Sequence, residues 1–145
     1  MSNKSKKFYS SLDTGFTTQV PQAIQHIVVA KAAEEAGGVV VFYTMEDHYT
    51  LKSHEVILGR INDKPDISGI IFFRVAQFLY SGKFDFATLS KVLERGLEVH
   101  FAREKLSLHN QAELDEAFPF FYTLQETQSR NRAFFNSMLK DYSEL

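Results

Sequence analysis

Three short apolar runs constrain the fold of this chain more than any other feature. Val39 to Thr44, Gly69 to Phe73 and Leu97 to Ala102 are strand-length and rich in β-branched and aromatic residues. Between them lie stretches whose apolar residues recur at helical spacing. Strands alternating with helices give right-handed crossovers and a mostly parallel sheet with helices on both faces. The continuous apolar run at Val39 to Thr44 predicts a strand covered on both faces. The alternation of Leu97, Val99 and Phe101 with Glu98 and His100 predicts a strand nearer an edge.

A first strand fits Phe8 to Leu12, ended by Asp13, Thr14 and Gly15. The loop leaving that strand is where an α/β protein usually places a ligand. Pro21 suits the first turn of a helix, with Ile24, Ile27, Val28 and Ala32 on one apolar face and Gly37-Gly38 as its stop. Ser53 can cap a second helix that turns Val56, Ile57, Leu58 and Ile61 inward. Arg74 to Lys83 reads as a loop with one helical turn, and Phe84 to Arg95 as a third helix stopped by Gly96. Leu106 and Leu108 form a short extra strand or an extended arm. Asn110 and Glu113 make a capping-box-like start to a helix, which Pro119 should break or kink near Phe118. A terminal helix then runs from Phe120 to Tyr142. The expected architecture is one α/β domain over residues 1–145, a three-layer sandwich with a mostly parallel sheet of four to five strands. Residues 1–7 would be a flexible lead. The aromatic stripe of the terminal helix either packs on the sheet or pairs with a second copy of the chain, making a homo-oligomer.

Composition narrows the function classes. The 145 residues are 44% hydrophobic and 14% aromatic, with 14 Phe, which favours a well-packed core over disorder. A net charge of −2 gives no global basic field, so nucleic acid is not an expected partner. With no cysteine there are neither disulfides nor thiolate metal sites, which suits a reducing cytoplasm. The basic MSNKSKK start precedes no signal-peptide core, and no run nears the ~20 apolar residues of a membrane span. The expected location is cytoplasmic.

Loops leaving the strands' C-terminal ends should converge on one rim carrying Ser10, Ser11, Asp13, Glu46, Asp47, His48, Arg74, Gln77, Arg103 and Glu104. Arginines there could hold an anionic sugar or phosphate, and Glu46 or Asp47 could act as general acid–base. The competing reading is a set of solvated loop residues with Arg74 and Glu104 paired for stability. Glu46, His48 and His54 match no metal-ligand spacing, so no metal and no cofactor are expected. No nucleophile elbow, P-loop or dinucleotide fingerprint is present. His100, inside a strand, reads as a hydrogen-bonded structural histidine.

Val20-Pro21-Gln22 followed by Gln25, Met45-Glu46-Asp47, Ser68-Gly69-Ile70-Ile71, and Gly96-Leu97-Glu98-Val99-His100-Phe101-Ala102 with Glu104 together resemble the sporadic carbohydrate cluster proteins. That bacterial family is named for its scattered occurrence in surface-polysaccharide gene clusters, and the resemblance implies that context. More distantly, the element order is similar to the catalytic domain of resolvase/invertase serine recombinases, which also ends in a long dimerisation helix. Their first strand reads Tyr-x-Arg-x-Ser. Here Tyr9 matches the tyrosine, but Ser11 stands at the arginine's place and Asp13 at the serine's. Their Asp-Arg-Leu-x-x-Arg segment is represented only by Arg74-Val-Ala-Gln-Phe-Leu. Covalent DNA cleavage needs nucleophile and arginines together. The expectation is therefore an accessory protein or small enzyme of carbohydrate biosynthesis that binds an anionic sugar or nucleotide-sugar. The alternatives are a non-enzymatic dimeric module and a DNA-binding recombinase remnant.

Overall fold

A computed structural model describes residues 5–13, 20–46, 58–63, 66–80 and 83–143; the side chains of Met45, Glu46, Leu79, Tyr80, Lys83 and residues 128–143 lie outside that description. The main sheet contains β1 (Lys6–Asp13), β2 (Gly38–Glu46), β3 (Gly69–Phe72), β6 (Glu98–Phe101) and β7 (Leu106–Leu108), ordered β2-β1-β3-β6-β7. All pairings are parallel except β6 with β7. A small antiparallel hairpin, β4 (Leu79–Tyr80) with β5 (Lys83–Phe84), stands apart from the main sheet.

Two apolar layers sandwich the sheet. On one face Phe8, Leu12, Ile71, Phe73 and Ala102 meet Val29 and Ala33 of α1 (Gln22–Glu35). On the other, Tyr9, Ile70, Phe72, Val99 and Phe101 meet Ile61 of α2 (helical over 58–62), α3 (Phe86–Glu94) and the first part of α4 (Gln111–Ser143). Because β2 and β3 flank β1 on opposite sides, right-handed crossovers put α1 and α2 on opposite faces. Their side chains confirm that placement.

Several expectations change. β1 begins at Lys6, so Lys6 and Lys7 pair with Gly38 and Val39. The inward face of α1 is Gln25, Val29 and Ala33, whereas Ile24 and Ile27 are exposed. Helical periodicity gives a face but not which flank of it meets the sheet. β2 is an edge strand, not one covered on both faces: Val39, Val41, Phe42 and Tyr43 are all substantially exposed. Its register slips between Phe8 and Tyr9, leaving Val41 as an extra residue, an irregularity typical of edges. The loop after β3 holds a 3-10 turn, Val75–Phe78, before the hairpin. Asp85, unremarked in the sequence, caps α3 by accepting from the Thr88 N–H at 3.1 Å.

Nor does Pro119 end a helix. α4 continues through it for 33 residues, about 50 Å at 1.5 Å per residue. Leu114, Ala117, Phe121 and Leu124 form its inward stripe. Phe121 stacks on Phe84 at 4.4 Å, and Gln125 accepts the Phe84 N–H at 2.7 Å. These contacts hold the turn beyond the proline in line. Asn110 caps α4 by accepting the Glu113 N–H, and Glu113 reaches back to the His109 N–H. Ser53, Val56 and Ile57 lie outside the described residues.

Candidate functional site

In the order β2-β1-β3, the chain crosses from β1 to β2 on one side and then passes from β2 to β3 on the other side of β1. That reversal opens a crevice beyond the C-terminal ends of β1 and β3, the place where open α/β sheets bind ligands. Asp13 ends β1, and Arg74 stands two residues beyond β3. Arg74 Nε donates to Asp13 Oδ2 at 2.6 Å, with the carboxylate nearly buried and the guanidinium about a quarter exposed.

Two buried glutamines hold this pair in place. Gln25 Oε1 accepts the Asp13 N–H at 2.9 Å, while its amide donates to the carbonyls of Asp13 and Val20. Gln77 Oε1 accepts the Arg74 N–H at 2.9 Å, and its amide donates to the Ser11 carbonyl at 3.1 Å. Gln25 therefore ties the end of β1 to α1, and Gln77 ties it to the turn after β3. Glu104 accepts the Val75 N–H at 3.0 Å. Arg74 is thus ion-paired with Asp13, and Glu104 is bound to the backbone one residue further on.

Other expected site residues are distributed differently. Ser10 is fully buried on the α1 face, level with Phe8 and Leu12, and its Oγ has no hydrogen-bond partner among the described residues. Ser11 is equally buried and contributes its carbonyl to the Gln77 amide. Arg103 is exposed, with its N–H bound to the Phe73 carbonyl. Glu46 is opposite Asp13 in the β1–β2 register, which places its backbone at the same rim. Asp47, His48 and His54 lie outside the described residues.

A second constellation escaped sequence reasoning. A cavity of about 360 Å³ opens on the α1 face, and Lys6, Glu35, Glu98, His100, Lys105 and His109 contribute to its wall. Glu98 Oε1 lies 3.1 Å from His109 Nε2, 4.0 Å from His100 Nε2 and 3.0 Å from Lys6 Nζ. His100 does make the expected structural bond, Nδ1 to Ser107 Oγ at 2.7 Å. Burial pushes its pKa below the usual histidine value, partly opposed by Glu98. The available signal was the Glu98-x-His100 alternation on one strand face. Finding His109 as well required knowing that β7 folds back antiparallel.

No known family profile and no curated protein matches the chain. A structural neighbour is a resolvase family site-specific recombinase from Streptococcus pneumoniae, with a TM-score of 0.63 over 94% of this chain and 99% of that one, at 10% identity. The fold is resolvase-like. At that identity the likeness concerns the path of the backbone, and the chemistry rests on the side chains. Among the described residues, no helix is long and apolar enough to cross a membrane.

Proposed function

We propose that this protein is a cytoplasmic accessory protein or small enzyme of bacterial surface-polysaccharide biosynthesis, with an anionic sugar or nucleotide-sugar bound at the rim of its resolvase-like sheet. The observation that carries this reading is the Arg74–Asp13 pair at the topological switch point. A guanidinium there presents a fork suited to a phosphate or carboxylate. Asp13 accepts from the guanidinium and Gln77 Oε1 accepts the Arg74 backbone N–H, which keeps the side chain aimed while it is only partly exposed. Arg103 at the end of β6 adds a second positive charge along the same rim. In the enzymatic form of this reading, Glu46 and Asp47 at the end of β2 act as general acid–base on the bound sugar; the accessory form binds without turnover. The resemblance to sporadic carbohydrate cluster proteins supplies the biosynthetic context.

Recombinase chemistry has little support. Ser10 and Ser11 are both fully buried, and an attacking hydroxyl must reach its phosphate. A recombinase remnant would still form a covalent protein–DNA adduct that Ser11→Ala removes, and none is expected.

The test is thermal denaturation with UDP-glucuronate, UDP-glucose, GDP-mannose and free glucuronate. At least one should raise Tm, and Arg74→Ala should abolish that shift. A panel that moves neither protein would overturn the reading.

One further observation favours the dimeric-module alternative. Phe118 and Tyr122 stack on one flank of α4 and Phe120 lies on the other, each about half exposed, and exposed aromatic surface marks interfaces when it is contiguous across two copies.

A further inference from the structure

We propose that Glu98, His100 and His109 form a binding site for one divalent transition-metal ion of the zinc class. This site is separate from the rim: it lies on the α1 face, toward the N-terminal end of β6. Its residues come together through simple strand geometry. Glu98 and His100 are two apart on β6 and share a face. Antiparallel pairing sets Ser107 opposite His100 and Leu108 opposite Val99, which brings His109 level with Glu98. Gly69 fills the neighbouring position on β3 without a side chain; a Cβ there would sit 2.4 Å from the Glu98 carbonyl oxygen. Glu98 and Lys6 can therefore meet across it.

One donor atom from each of the three residues falls within 4.8 Å of the others. Donors around a tetrahedral ion with bonds of ~2.0–2.2 Å are ~3.3–3.6 Å apart, so side-chain adjustments of about 1 Å suffice. Two histidines and a carboxylate form a recurrent zinc ligand set, with a fourth position left for water or substrate. Here that position would face the cavity.

The outer contacts also fit. Ligating histidines usually fix their second nitrogen on a carboxylate or another polar group. His100 Nδ1 is held by Ser107 Oγ at 2.7 Å, and His109 Nδ1 by Glu113 Oε2 at 3.0 Å. Both rings thus direct Nε2 toward Glu98. A purely structural cluster would use His109 to bridge Glu98 and Glu113, leaving His100 Nε2 unexplained. That nitrogen is buried and has no hydrogen-bond partner among the described residues, on a side chain only 7% exposed. Orphaned buried polar atoms are rare enough to require a cause, and a cation supplies one. Lys6 competes by donating to Glu98 Oε1 at 3.0 Å, so it must release that oxygen when the ion binds.

The tag-free full-length chain, freed of metal with a chelator, should be titrated with Zn2+ by calorimetry and with Co2+ by visible absorption. One equivalent should bind per chain. His109→Ala, at a half-exposed position, and Glu98→Gln should each weaken binding about tenfold or more, and Ser107→Ala about tenfold. His26→Ala, at a histidine outside the site on α1, should change nothing. Failure to bind a stoichiometric ion, or affinity that survives both His109→Ala and Glu98→Gln, would overturn the proposal.

Discussion

At the scale of single residues, the rim depends on side-chain amides as much as on charges. Gln25 is fully buried and spends its amide on both backbone groups of Asp13 as well as the Val20 carbonyl. Its position exploits the end of β1, where the sheet stops supplying hydrogen-bond partners. Truncation would orphan these groups in a dry environment. We expect Gln25→Ala to cost about 1–3 kcal/mol, measured by urea denaturation, and to loosen Asp13 so that Arg74 is no longer held. Gln25→Glu should not rescue it, because a carboxylate cannot donate to the two carbonyls. The sequence put Gln25 in a recognisable VPQ-x-x-Q segment without revealing its partners; they follow only from docking α1 against the end of β1.

At the scale of elements, close approach and continuity make the informative cases. β3 sits between β1 and β6, and Gly69 pairs with Phe8 on one side and Glu98 on the other. Because an added methyl would run into the Glu98 backbone, Gly69→Ala should destabilise the protein by about 1–3 kcal/mol through overpacking. Calorimetric unfolding checks this, and an unchanged Tm would contradict so close an approach of the two strands. α4 presents the opposite situation. A proline inside a helix removes a backbone bond and costs ~3 kcal/mol, yet the helix runs on because Phe121, Leu124 and Gln125 are anchored beyond it. Pro119→Ala should therefore raise stability by about 1–3 kcal/mol, up to the full propensity difference. A drop in stability would mean that the proline-shaped turn is needed for docking on Phe84.

At the scale of the whole molecule, α4 is the element that the domain does not fully use. Its first turns are packed, while Phe118, Phe120 and Tyr122 face outward. If a second copy covers them, sedimentation should show concentration-dependent association. Phe120→Asp should abolish association while preserving the circular dichroism spectrum. A monomer at high concentration would exclude α4 as a self-association surface.

The sequence by itself determined the strand–helix alternation, the mostly parallel sheet and the long final helix, because buried strands and amphipathic helices leave local periodicities. It also placed Asp13, Arg74 and Gln77 at one end of the sheet, since strand ends carry the loops. Only the tertiary structure decided that Arg74 pairs with Asp13, that β2 lies at an edge with Phe42 and Tyr43 exposed, and that His109 returns beside Glu98 and His100. Each of these depends on strand order, register or docking across many residues of chain. Periodicity reports how each segment alternates between core and solvent; it carries no record of which segment will lie next to it.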